Sequence, residues 1–251
     1  MILQPQRDAI RSTADEQHCR ESVSEKTAFM SQFVLPERWE RILEVSQKRT
    51  KYLTVVLEDI HYAQNSSAVV RSCDCFGIQD LHYIYNNPPE GQKRIRKHVA
   101  QGAEKWVDIH RHLIKDNIGT EKTTEKVLSR LKRRGYRIVA TLPDQNAVGL
   151  GEFDLRGGKT ALVMGNEQRG VTETVRSIAD EFLTIPMHGF SESFNLSVST
   201  AIILNSLVTR MQNSRIPWRL PPEEIDSLRL EWLMKTIPKA KDILAAYEQS
   251  V

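Results

Sequence analysis

ALVMGNEQRGVTETVRSIADEFLTIPMHGFSESFNLSVSTAIILNSLVTR (residues 161–210) decides the fold. ALVM (161–164) is a short apolar run of strand type, and GNEQRGV after it is a polar loop with two glycines. A short helix fits residues 173–179, and FLTIP (182–186) is a second apolar strand. MHGFSESFN then forms another polar loop before LSVSTAIILNSLVTR (196–210), a helix with apolar residues on most faces. Such a helix belongs in a core or a subunit interface. A helix between two apolar strands is a crossover, and strands joined that way run parallel.

The same alternation extends upstream. A helix-like stretch at 37–47 precedes the strand YLTVVL (52–57). SSAVVRSCDCF follows, with Asn65 and Ser66 as N-cap types and Gly77 where a left-handed C-terminal cap belongs. LHYIY (81–85) is a strand stopped by Asn86, Asn87, Pro88 and Pro89, and WVDI (106–109) is a shorter one. Thr123 or Thr124 caps EKVLSRLKRR, whose Val127, Leu128 and Leu131 share a face; Gly135 ends it before the strand YRIVATL (136–142). Downstream, Ile225, Leu228 and Trp232 stand at helical spacing. The pattern predicts an α/β fold, a parallel sheet flanked by helices, with ligands beyond the carboxyl ends of the strands.

Composition narrows the class. Of 251 residues, 40% are hydrophobic and 27% charged, as in soluble globular chains, so disordered and collagen-like classes fall away. No window approaches the roughly 20 apolar residues of a membrane span, and MILQPQRDAIRSTADEQ lacks a secretory h-region, so a cytoplasmic protein without membrane contact is expected. Three cysteines fit no disulfide or zinc spacing and read as reduced and structural; no metal is expected. The net charge is only +3, but basic residues cluster. Arg38, Arg41, Lys48, Arg49 and Lys51 form one group, Lys93, Arg94, Arg96 and Lys97 a second, and Arg130, Lys132, Arg133 and Arg134 a third. Solvated helix faces account for any one of these; a localised polyanion contact accounts for the three together equally well.

Familiar phosphate motifs fail on their context. GLGEFD (149–154) lacks a third glycine and precedes no helix, and Lys159-Thr160 enters a strand where a P-loop needs a helix. No HExxH, GxSxG or Cys/His cluster is present. Three polar loops remain, each after an apolar strand: HYAQNSSAVVRS with Asn65 and Arg71, MGNEQRGV (164–171), and IPMHGFSESFNLSV (185–198). Glycines at 165, 170 and 189 permit close approach of a ligand to the backbone.

These loops, in this order, resemble the motifs of the SPOUT class of RNA methyltransferases, and within it the TrmH (SpoU) tRNA ribose methyltransferases. NSSAVVRSCDCFGI is similar to the first motif, MGNEQRGVTE to the second, and IPMHGFSESFNLSVSTAIIL to the third. QGAEKWV (101–107) and ATLPDQNAV (140–148) extend the likeness, which covers residues 35–235. Phe194 and Ser66 depart from it, since leucine is usual at both places.

The resemblance implies a sheet whose C-terminal segment forms a trefoil knot, a rare exception to unknotted topology. It implies S-adenosyl-L-methionine held by backbone groups near Thr141, Gly165, Ile185, Met187 and Phe194, and a homodimer with the site at its interface. It gives catalytic roles to Arg71, Asn65, Glu167, Ser193 and Asn195: Arg71 as a phosphate clamp and alkoxide stabiliser, with action as a base left open, Asn65 and Glu167 orienting it or the ribose, and Ser193 and Asn195 fixing the third loop. tRNA is the implied partner and the D-loop guanosine at position 18 the implied target, gripped by Arg38, Arg41, Arg49, Lys93, Arg94, Arg96 and Lys97. An rRNA 2′-O-methyltransferase and a non-catalytic RNA-binding SPOUT protein are the alternatives. The expected division is a flexible tail at 1–34, a SPOUT domain at 35–215 and a helical extension at 216–251, with residues 1–29 dispensable.

Overall fold

A computed structural model describes residues 23–86, 95–113, 122–144 and 146–250. In chain order the elements are α1 (23–31), α2 (Pro36–Ser46), β1 (Leu53–Glu58), α3 (Ala63–Cys75), β2 (Asp80–Tyr85), α4 (Lys97–Ala100), β3 (Asp108–Leu113), α5 (Lys122–Arg133), β4 (Arg137–Thr141) and β5 (Val148–Gly149). They continue as β6 (Thr160–Met164), α6 (Glu173–Ile178), β7 (Glu181–Thr184), α7 (Leu196–Gln212), α8 (Pro222–Thr236) and α9 (Ala240–Ser250). These elements fall into two compact units, one running from Thr50 to Arg219 and the other joining the residues before Thr50 to those from Leu220 onward.

The larger unit is a seven-stranded sheet in the order β3-β2-β1-β6-β4-β7-β5, parallel throughout. Both faces are covered, as parallel sheets require. Leu53, Val55 and Leu57 of β1 point to one face and pack with Val69 and Val70 of α3 and Leu204, Leu207 and Val208 of α7. Val56 points to the other, with Val127, Leu128 and Leu131 of α5 and Val175 of α6. Each such buried side chain contributes about 1.5–3 kcal/mol. Cys73 is buried and Cys75 exposed, and neither is in a disulfide. No helix among the described residues is long and apolar enough to cross a membrane.

Several expectations need correction. The third strand lies later than WVDI, because Val107 is buried beside it while Asp108–Leu113 pair with β2; HRHL carries no apolar run to announce an edge strand. Thr124 is inside α5, not its cap: its hydroxyl is buried and donates to Glu58 Oε1 at 2.8 Å. Asn65 and Ser66 likewise lie inside α3, which starts at Ala63. Gly77 does adopt the left-handed conformation, with φ 75°.

The smaller unit joins helices from the two ends of the chain. α1 is helical and its Met30 fully buried; Phe29 stacks on Tyr247 at 4.2 Å and Lys26 pairs with Glu248. Its partner segment is C-terminal, which no local pattern reveals. Ile225, Leu228 and Trp232 of α8 are buried as their spacing predicts. Arg49 belongs to this core. It is only 1% exposed and its guanidinium lies 5.1 Å from the Trp232 ring centroid, a cation–π contact, so it is not a surface grip for RNA.

Candidate active site

Sheet order builds the site. β1, β6, β4 and β7 are neighbours, so the loops leaving their carboxyl ends converge, at the point where strand order reverses. They enclose a cavity of about 860 Å³ lined by Thr141, Gly165, Ile185, Met187 and Phe194, the residues expected to hold a cofactor. Asn65, Glu167, Ser193 and Asn195 line it too.

A hydrogen-bond chain links the three loops. Asn195 Nδ2 donates to Asn65 Oδ1 at 3.2 Å, and Asn65 Nδ2 donates to Glu167 Oε1 at 2.9 Å. The Glu167 carboxylate also accepts from the backbone N–H groups of His61 at 2.9 Å and Tyr62 at 3.3 Å. It thereby closes the N-terminal end of α3, which has no side-chain cap of its own, and places negative charge at the positive end of the helix dipole. Asn195 in turn caps α7, accepting from Ser197 N at 2.9 Å.

The second loop has a fixed shape. Asn166 and Gly170 exchange backbone hydrogen bonds at 2.9 Å in each direction, with Gly170 at φ 68°. A Cβ on Gly165 would lie 2.3 Å from Gly170 C, so only glycine lets the loop fold back here. Glu58 anchors the loop's far end: Thr172 N and Oγ1 donate to its carboxylate at 3.1 and 2.9 Å. Burial pushes the Glu58 carboxyl above the usual range, against the hydrogen bonds from Thr172 and Thr124.

Arg71 stands apart: it is exposed on α3 and does not line the cavity. Six residues separate it from Asn65, which puts the two side chains on different faces of one helix. Arg96 does line the cavity, and Arg38, Arg41 and Lys97 are exposed, with Arg41 paired to Glu44 at 2.6 Å. Lys93 and Arg94 lie outside the described residues. Arg169, Arg176 and Tyr62 also line the cavity without having been singled out. Arg169 and Tyr62 sit within two of the three polar loops; Arg176, inside α6, carries no local signal. Phe194, one departure from the family pattern, is 45% exposed at the cavity wall; Ser66, the other, is buried and accepts Tyr83 Oη at its carbonyl.

The model of the SpoU rRNA Methylase family matches residues 52–205, the span holding all three loops. The chain belongs to this family. Among its relatives, a tRNA (guanosine(18)-2′-O)-methyltransferase of Borreliella burgdorferi is 32% identical over 217 residues, covering 86% of this chain and 94% of that protein. One of the same name from Aquifex aeolicus is 34% identical, covering 84% and 96%. The crystal structure of the A. aeolicus TrmH/SpoU tRNA modifying enzyme superposes with a TM-score of 0.68 at 33% identity, covering 81% of this chain and 98% of that one.

Proposed function

We propose that this protein transfers a methyl group from S-adenosyl-L-methionine to a ribose 2′-hydroxyl of tRNA, with the D-loop guanosine at position 18 as its target. The observation that carries the reading is the joining of Asn65, Glu167 and Asn195 at the mouth of one cavity. The names of the full-length relatives supply the substrate, and tRNA in turn suits a cytoplasmic protein.

The cavity fits the donor. Its volume lies within the usual range of about 300–1,000 Å³ for cofactor sites, and Leu142, Leu183, Ile185 and Leu196 give it apolar walls. Gly165 lets the Gly170–Val171 backbone fold back against it, which fixes the loop that lines the cavity. When bound, the donor supplies an electrophilic sulfonium methyl. The chain's own part is alignment and charge: Asn65, held by Glu167 and Asn195, orients the ribose, and Arg71 steadies the alkoxide that develops on the 2′-oxygen. Arginine stays protonated in proteins, so the clamp role is favoured over that of a base.

Arg71 is exposed and outside its own chain's cavity, which supports a homodimer in which a second copy brings it to the site. Phe190 is fully exposed, and Phe194 and Val198 are 45% and 44% exposed, leaving apolar surface for such a partner. The family's trefoil knot is part of the same reading.

Incubation of a tRNA transcript with labelled donor, followed by mapping of the modified nucleotide, tests the proposal. A 2′-O-methylguanosine at position 18 is expected, with Arg71→Ala cutting turnover by orders of magnitude while donor binding survives. Absence of donor binding at millimolar concentration, or wild-type turnover by Arg71→Ala, would overturn it.

A further inference from the structure

Arg96 of the second basic cluster lines the cavity, and Arg38, Arg41, Lys48 and Arg49 of the first lie in the terminal unit; the third, at the end of α5, has no role in the site. Its surroundings give it one. α5 packs over β2 and β3, the outermost strands on that side of the sheet. On the face beneath it the register sets Asp80 beside Asp108, His82 beside His110 and Ile84 beside His112.

The three imidazoles form a stack. His82 and His110 lie 4.6 Å apart at 18°, His82 and His112 5.4 Å apart at 17°, and His82 Nδ1 is 3.1 Å from His112 Nε2. Asp80 Oδ1 holds His110 Nε2 at 2.8 Å, and the His110 side chain is 41% exposed. Arg130 and Arg134 are exposed and form no ion pair among the described residues; Arg130 bears electrostatically on His112 and Arg134 on His82. Arg130 lies in the last turn of α5 and Arg134 just past its end, where its N–H still bonds Arg130 O at 3.2 Å, so the two exposed arginines stand about one helical turn, roughly 6 Å, apart along the axis. Two nearby carboxylates are already engaged, Asp80 with His110 and Asp180 with Lys132. Concentrating this much like charge costs stability unless an anion meets it.

We propose that this α5–β3 edge is a second phosphate-binding surface for the RNA substrate, in which Arg130 and Arg134 grip successive backbone phosphates above the histidine stack. The inference rests on the tRNA reading above. RNA is favoured over an acidic protein because planar arginine forks at regular spacing match a repeating phosphate chain.

Filter binding of tRNA across a range of salt concentrations tests it, with Arg130→Gln/Arg134→Gln compared to wild type. Loss of two phosphate contacts predicts a salt slope shallower by about 2 and an affinity lower by about tenfold or more near physiological salt. KM for tRNA should rise while donor affinity, kcat at saturating tRNA and melting temperature hold. Lys239→Gln/Lys241→Gln, which removes equal charge from exposed positions on α9 and before it, should bind as wild type. Unchanged affinity and slope in the arginine double variant would overturn the inference and leave the surface to an acidic protein. Equal loss in the lysine control would overturn it too, by reducing the effect to net charge. Failure of wild-type protein to bind tRNA would instead bring down the functional reading, and this inference with it.

Discussion

At the scale of single residues, Gly165 and His82 make the sharpest demands. Gly165 meets Gly170 and Val171 backbone atoms within 2.3–2.5 Å of where a Cβ would stand, and backbone cannot swing aside as a side chain can. Gly165→Ala should therefore displace the second loop, abolish measurable donor binding by calorimetry and lower the melting temperature; normal donor affinity would refute the cradle. His82 is 5% exposed, and burial, followed by the charge of His110, pushes its pKa down to about 3. The unfolded chain then binds the proton between pH 6.5 and about 3 while the folded chain refuses it, so stability is lost as pH falls through that window. Melts from pH 7.5 to 5 should show the loss, on the order of 1–3 kcal/mol by pH 5. His82→Gln should flatten the slope; an unchanged slope would place the acid sensitivity elsewhere. Arg49 shows how residue type alone misleads: a basic residue in a basic run turns out to lie buried against an indole.

At the scale of elements, one carboxylate joins three of them. Glu58 ends β1, is 1% exposed, and accepts from Thr124 of α5 and from the backbone and hydroxyl of Thr172, the N-cap of α6. Asn86 extends the network by donating to Thr124 Oγ1 at 2.8 Å and to Asp59, a residue held at φ 49°. Glu58→Ala strands those donors in a dry interior and should cost about 2–4 kcal/mol in urea denaturation. Glu58→Gln keeps an acceptor for the Thr172 N–H and offers donors to two hydroxyls, so a cost below about 1 kcal/mol is expected. Equal losses in the two variants would mean that packing, not hydrogen bonding, holds the junction. α7 illustrates the opposite case. Its apolar character on most faces predicts burial, and one face delivers it through Ile203, Leu204, Leu207 and Met211, while Val198 on the other stays exposed.

At the scale of the molecule, the terminal segments act together. Thr27 Oγ1 donates to Val23 O at 2.8 Å inside α1, while Met30, Phe29 and Lys26 tie that helix to the C-terminal core. Removing residues 1–29 should therefore lower the melting temperature by several degrees, consistent with a loss of about 1–3 kcal/mol in a chain of this size. An unchanged melt would return those residues to the status of a dispensable tail. Light scattering at micromolar protein should give twice the 28.8 kDa chain mass; an active monomer would contradict the assembly proposed for Arg71.

What the sequence determined by itself is whatever local chemistry can write: strands where apolar residues run together, the left-handed stop at Gly77, the buried stripe of α8, and three polar loops whose residues line the cavity. Those signals lie within a few residues of the feature they specify. Tertiary structure alone decided the rest, because the deciding partner is distant along the chain. Insertion of β6 between β1 and β4 is what brings Asn65 to Glu167 and Asn195. The helical N-terminus of α3 is closed by Glu167, 102 positions beyond Asn65, where local capping rules pointed to Asn65 and Ser66 instead. Arg71, six positions beyond Asn65 in the same motif, is turned away by the helical repeat, and the histidines of β2 and β3 become one stack only through strand register. Periodicity encodes which face a residue takes; it carries no information about which distant element will meet that face.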